Sequence, residues 1–326
     1  MADYKATDTD LTAVANAIRA KGGTSAQLEF PDGFVSAIEG IGGDNLYKNM
    51  LEARATAIVD DQLTRNTGWY PTGVVSAVFN QLTTTRAFDG FSALKAYIAP
   101  KVTAMPTLVF RNCTALKYVW MPIATGATSN GNTSNQRKFY GCSAIEHLYL
   151  GGWKYIGYQE FSSNNAIKTI TFDALVTMAA VPASFSNFIA LIIRKTNTSL
   201  NSGTAFDSTP IGTGNGYIYV PASAVSTYKS ATNWVNYASK IIGIDEDTTA
   251  TKGVLFTPTV TATGIVSYDM IDLQSYSTGT INSSTGAITP TCDGRMLIRG
   301  LDGNGVPLHV TYLKVGTGFD PEEMVL

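Results

Sequence analysis

The chain is poor in charge: Asp, Glu, Lys and Arg make up 15% of its 326 residues, and the formal net charge is -2. No basic excess points to a nucleic acid, and no acidic block points to a solvating tail. Histidine occurs only as His147 and His309, and neither stands in the spacing of a catalytic triad or a metal-ligand set. Three cysteines are too few for a disulfide framework. No run of about eighteen apolar residues marks a membrane-spanning helix. The opening "MADYKATDTDLTAVANAIRAKGG" has no basic segment followed by an apolar core, so no secretory signal peptide is expected, and folding in a cytoplasm is. "GTGNG" (212–216) lacks the Lys-Ser/Thr of a phosphate loop and is expected to shape a turn before a strand. Carboxylate pairs for sugar hydrolysis are not settled by sequence. With no motif left standing, the expectation is a protein that is not an enzyme, with no catalytic residue, no metal and no cofactor.

What the chain has in quantity is Gly, Ser, Thr, Asn and aromatic residues, a composition that suits short strands, tight turns and an uncharged surface. One phrase returns three times: "FRNCTALKYVWMP" (110–122), "FYGCSAIEHLYLG" (139–151) and "FSSNNAIKTITFD" (161–173). Aligned on phenylalanine, the copies begin at Phe88, Phe110, Phe139, Phe161, Phe185 and, more loosely, Phe206, at spacings of 22, 29, 22, 24 and 21. The long spacing holds a polar insertion, "TSNGNTSNQ", with the composition of a loop. Five residues on from the first five phenylalanines stand Ala93, Ala115, Ala144, Ala166 and Ala190. Six on stand Leu94, Leu116, Ile145, Ile167 and Leu191.

A unit of this length with a Leu-x-x-Leu-x-Leu core predicts a solenoid of leucine-rich-repeat type. Leu116, Val119 and Met121 fit that core, as do Ile145, Leu148 and Leu150, and Ile167, Ile170 and Phe172. One coil cannot bury its own apolar face, so stacked coils share a ladder of parallel strands. The skeleton is kept because each rung packs on the next; the decoration varies because it is expected to face water. In the fifth copy Arg194 falls at an apolar place, and a distorted rung is expected there. Cys113 and Cys142 share one column of adjacent rungs, close enough for a disulfide; two small buried thiols are the preferred reading.

The F-x-x-C-x-x-L phrase resembles the BspA-like leucine-rich repeats. "YIYVPASAVSTYKSATNWVNYASKIIGI" (217–244) resembles the segment that closes such arrays, with Pro221, Tyr228, Trp234 and Tyr237. The resemblance covers residues 85–244.

Ahead of the repeats, Leu11, Val14, Ala15 and Ile18 fall on one helical face, and Phe34, Ile38 and Ile41 on another. "DLTAVANAIRAKGGTSAQLEFPDGFVSAIEGI" is similar to the opening of tail, baseplate and fibre proteins of phages. Residues 1–43 therefore read as a helical docking segment with Leu11, Val14, Ile18, Phe34 and Ile38 as contact residues. Residues 44–86 read as a linker helix and N-terminal cap, with a strand-turn-strand around Asp60-Asp61. "DEDTT" (245–249) reads as a solvated linker or a cation site. After Gly253, "STG", "DG" and "DGNG" punctuate alternating apolar residues, so residues 253–326 read as an antiparallel, sandwich-like β tip. The predicted fold is mostly β with short helices: a helical hairpin, a parallel-strand solenoid over 87–244 and that tip.

Between ladder residues, side chains point to the other face of each strand. That places Trp120 beside Tyr149 and Tyr118 beside His147. A row of outward aromatics invites stacking on sugar rings or burial against protein, so these four are the candidate binding residues. The alternative is that another part of the chain covers them.

The two resemblances together imply a non-enzymatic phage virion protein, a tail fibre or baseplate-peripheral component. Its expected partners are other virion proteins and a host-surface glycan or protein. It is expected as a homo-oligomer, a trimer first, with no nucleic acid and no membrane insertion. The implied location is the virion, after synthesis in the host cytoplasm. The alternatives are a head fibre or capsid decoration protein, a bacterial BspA-like surface adhesin, and a glycan depolymerase. Such adhesins usually carry a signal peptide and an anchor, and neither is expected here.

Overall fold

A computed structural model describes residues 57–60, 76–79, 87–99, 102–125, 137–156, 160–178 and 185–320, with Asn16 and Glu323 singly. The chain divides into two compact units, Met1–Ala55 and Thr56–Leu326. The two N-terminal helices, with Leu11, Val14, Ile18, Phe34 and Ile38, and the polar insertion at 128–136 lie outside the described residues.

Nine short parallel strands form one sheet in chain order. They are β1 (Ala57–Asp60), β2 (Ser76–Phe79), β3 (Ala96–Ile98), β4 (Tyr118–Trp120), β5 (His147–Tyr149), β7 (Thr169–Phe172), β9 (Ala190–Ile193), β11 (Tyr217–Pro221) and β12 (Ile241–Ile244). Three two-residue strands between them, β6 (Tyr155–Ile156), β8 (Thr177–Met178) and β10 (Ser199–Leu200), build a second parallel sheet. The core fills the space inside each coil with the residues of the repeated phrase. Phe88, Phe110, Phe139 and Phe161 stack face to face at 5.7, 5.5 and 5.8 Å, with ring planes within 18°. The spacing of phenylalanines in the sequence is thus a spacing of coils in space, and the body is a solenoid of leucine-rich-repeat type.

The column two residues after those phenylalanines holds Gly90, Asn112, Gly141 and Ser163, all left-handed with φ between 60° and 78°. This turn recurs in each coil and explains the small or Asx-type residue there. One column on, the Cys113 and Cys142 thiols each donate to the phenylalanine carbonyl of the preceding coil, Phe88 O and Phe110 O, at 2.9 Å. Both are free and buried, as the preferred reading had it, and burial pushes both thiol pKa values up. Asn164 holds the next place in that column, fully buried, with neither amide atom hydrogen-bonded.

Four expectations are corrected. Ala57–Asp60 is not the first arm of a strand-turn-strand: it pairs in parallel with Ser76–Phe79, adding two rungs ahead of Phe88. The fifth rung is not distorted. Ala190 pairs with Thr169 and Leu191 with Ile170, eight and nine residues after Phe161 but only five and six after Phe185, so Phe185 is not the counterpart of Phe161. Phe185 takes the place of Cys142 and Asn164, Phe188 that of Ile145 and Ile167, and Arg194 leaves the core. The turn bond from Phe188 N to Phe185 O repeats that from Ile145 N to Cys142 O, both at 3.2 Å. The decoration does not all face water. Lys138 and Glu160, one residue before Phe139 and Phe161, form a buried ion pair at 3.0 Å, and Arg111 holds Asp89 with two hydrogen bonds. The fourth correction concerns the C-terminal part.

The C-terminal sheet begins at residue 246, not after Gly253: "DEDTT" is no linker but runs straight into β13 (Glu246–Ala250). With β14 (Ser267–Asp272), β15 (Gly294–Leu301) and β16 (Pro307–Val315) it forms a four-stranded sheet in the order β13-β16-β15-β14. β13 runs parallel to β16, so the sheet is mixed, not purely antiparallel. The "DGNG" turn joins β15 to β16 as predicted, with Asp302 Oδ1 accepting from the amides of Asn304 and Val306. Facing the solenoid are Leu297, Val310 and Tyr312; facing away are Met296, Ile298 and Leu313. The outer layer is not a second sheet among the described residues; Phe256, Ile281 and Ile288 cover that face through isolated bridges.

The array ends as the Tyr228, Trp234 and Tyr237 pattern implied. The Trp234 indole donates to Thr198 O at 2.6 Å, Asn233 to Leu200 O at 2.7 Å and Tyr228 to Lys195 O at 2.9 Å. Carbonyls along the segment that holds edge strand β10, which would otherwise be left unpaired, are thereby satisfied. The glycine segment 212–216 starts inside a helical turn, α1 (Pro210–Thr213), whose N-cap is Thr209.

Candidate functional site

Trp120 stands opposite Tyr149 in the β4–β5 register, and their rings stack at 5.6 Å, as strand alternation predicts. They are not open to solvent. Phe319 lies flat on Trp120 at 4.6 Å and 9°, and Trp120 is only 8% exposed. The Arg295 guanidinium sits 4.8 Å from the Trp120 ring centre and 4.0 Å from that of Tyr149. Tyr118 is buried, and Lys117 extends over its ring. Of the two alternatives for the outward row, the structure takes the covered one: the C-terminal sheet is the cover.

The geometry of that cover follows from strand spacing. Arg295 reaches β4 and β5, while Arg299 donates to the Tyr219 hydroxyl of β11 at 3.0 Å. β5 and β11 are three rungs apart, about 14 Å at ~4.8 Å per strand, and four residues of extended chain span about 13 Å. β15 therefore runs along the stacking direction, across the solenoid strands, and staples several rungs. Arg299 also chelates Asp269, and Arg194 bridges Asp173 of the solenoid to Asp247 of β13. Between these charges lies an apolar layer of Ile192, Tyr219, Leu297, Val310 and Tyr312.

His147 is nearly buried, with Nδ1 2.9 Å from the Thr169 hydroxyl and Nε2 3.9 Å from Glu146. Burial lowers its pKa from 6.5 to about 4, so it is neutral at pH 7. The Tyr149 hydroxyl donates to Asp173, and burial followed by that carboxylate pushes its pKa up to about 12. His309 lies in the C-terminal sheet beside Thr311 and Asp245. Among the described residues no group of three or more His, Cys, Asp and Glu could share a metal ion, and no helix is long and apolar enough to cross a membrane.

Tyr118, Trp120, His147 and Tyr149 are thus brought together, and a narrow cleft remains where they meet Gln274, Ser275, Tyr276, Arg295 and Phe319. Its free volume is about 20 Å³, room for one water-sized atom. A wider recess of about 360 Å³ lies beside β10, bordered by Thr198, Leu200, Thr232 and Trp234, and carries no charged side chain. Arg295 and Phe319 were missed from the sequence. A signal for them exists: "RMLIRGL" (295–301) is apolar on both faces of its strand, which requires a layer on each side.

No protein-family model and no curated protein matches the chain. Solved structures similar to it include the functional domain of InlJ from Listeria monocytogenes, described as including a cysteine ladder: TM-score 0.27, 10% identity, 75% of this chain and 49% of that one. A leucine-rich repeat protein from Bacteroides ovatus has TM-score 0.25 and 16% identity over 60% of this chain and 51% of that one. The internalin-like protein lmo2027 of Listeria monocytogenes has TM-score 0.26 and 12% identity over 74% and 87%. The chain spans about half the length of the first two. At such TM-scores the likeness adds nothing to the fold read from the strands themselves.

Proposed function

We propose that the chain is a non-enzymatic binding and scaffold protein of a phage particle, a tail fibre or baseplate-peripheral component. In this reading residues 1–43 dock it on other virion proteins, and the unit from Thr56 onward meets a host-surface glycan or protein. The docking half rests on the N-terminal resemblance. The observation that carries the binding half is the stapled repeat body. A parallel ladder with a second sheet fixed across it gives a stiff support for surface contacts. The aromatic row contributes to that stiffness. Contacts with a partner then fall on the rim of the cleft and on the C-terminal sheet.

The test is incorporation and adsorption. Deleting residues 1–43 should leave a folded protein that no longer joins particles, while the purified full chain should compete with particles for host cells. Normal incorporation of the truncated chain removes the docking half; a purified chain that never competes removes the binding half. The BspA-like character of the repeats favours a second reading, a bacterial surface adhesin. A tape-measure or baseplate gene beside this one separates the two.

A further inference from the structure

Arg295 is a charge that the fold does not neutralise. It is 6% exposed, yet among the described residues no carboxylate forms an ion pair with it. The neighbouring carboxylates are committed elsewhere: Asp173 to Tyr149 and Arg194, Asp272 to Thr278 and Gln274, and Asp320 to Lys252 and the Asp293 amide. The guanidinium is held by two ring faces and by one hydrogen bond, from Nη1 to Gly318 O. Nε and Nη2 donate to nothing among the described residues, and neither is sealed off as a buried orphan. They border the cleft, whose free volume admits one water-sized atom. Lys117 adds a second positive charge at the rim. A buried guanidinium with open N–H groups is a strong donor site for a carboxylate oxygen.

We propose that this cleft binds the carboxylate of an acidic sugar residue. One oxygen enters to meet Arg295. The ring is too large to follow and rests at the rim, where Tyr276 presents aromatic surface and Ser275 and Lys117 present polar groups. This deepens the host-surface reading by naming a ligand class. It fails separately, because a purified chain can adsorb to cells without binding uronate.

The test is a calorimetric titration of the full chain with glucuronate, with glucose as the neutral ring and acetate as the bare carboxylate. Glucuronate should bind with a Kd on the order of 1 mM, weakening as salt rises. Glucose should show no binding and acetate at least roughly tenfold weaker binding. Arg295→Lys should weaken glucuronate roughly tenfold or more, because an ammonium cannot replace the Nε and Nη2 donors that border the cleft. Lys117→Ala, at the rim, should weaken it a few-fold and decides the matter if Arg295→Lys does not fold. Acetate binding as tightly as glucuronate would exclude the sugar. No heat at tens of millimolar glucuronate, or unchanged affinity in both folded variants, would overturn the proposal.

Discussion

Replacing Trp120 by alanine asks whether the aromatic row works inside the molecule or outside it. The ring is 8% exposed and touches Tyr149, Phe319 and Arg295. A tryptophan buries on the order of 200 Å², worth about 5 kcal/mol at ~25 cal/mol per Å². Measured truncations of buried Phe and Trp run about 3–5 kcal/mol, which takes partial relaxation into account. For a unit of this size the melting temperature should fall by roughly 2 °C per kcal/mol, hence about 6–10 °C. Thermal unfolding followed by circular dichroism measures it. Phe319→Ala adds a stricter check. If the two rings act as a pair, the double variant should lose less than the sum of the single losses, by about 0.5–1.5 kcal/mol. A Trp120→Ala protein that melts within a degree of the parent, with losses additive to those of Phe319→Ala, would mean that the C-terminal sheet does not sit on this face in solution. The aromatic row would then be free for partners.

Four further outcomes are expected. Lys138→Met leaves the buried Glu160 carboxylate without its cation and should cost about 3–5 kcal/mol. Lys138→Met with Glu160→Gln keeps an acceptor for the Lys138 amide and should recover most of that loss; additive losses would refute the pairing argument. Asn164→Cys replaces two unpaired amide atoms by a thiol aimed, like its column-mates, at the carbonyl of the preceding phenylalanine; a gain of about 1–2 kcal/mol in urea is expected, and a net loss counts against it. Ser163→Gly relieves a left-handed serine at φ 66° and should gain about 1 kcal/mol by the same assay, since the left-handed region costs other residues about that much. For His147 the folded pKa lies near 4 and the ordinary value is 6.5, so the unfolded chain binds the proton first as pH falls. Stability should therefore drop by up to about 3 kcal/mol between pH 7 and pH 4, and His147→Gln should flatten that slope; an unchanged slope would rule the histidine out as its source.

The sequence by itself determined the repeat, the stacked phenylalanines, the buried thiols and the closing segment with Tyr228 and Trp234. Each is local or periodic: one coil's apolar skeleton must match the next, so the constraint is written at a fixed spacing. The fifth coil was misread because Phe185 stands three places further along its coil than Phe161 does, which put Ala190 and Leu191 in apparent register with the alanine and leucine columns of the earlier copies. Only the tertiary structure decided what covers the outward face. Trp120 meets Phe319 across some two hundred residues, and no periodicity links them. Strand alternation dictates that Trp120 points away from the core. It says nothing about what lies there, because burial depends on where a distant segment packs. The both-face apolar run of β15 announced that a partner layer was needed. Which surface supplied it was settled by shape and by the arginines that reach Tyr149 and Tyr219, and these act only once the chain has folded back on itself.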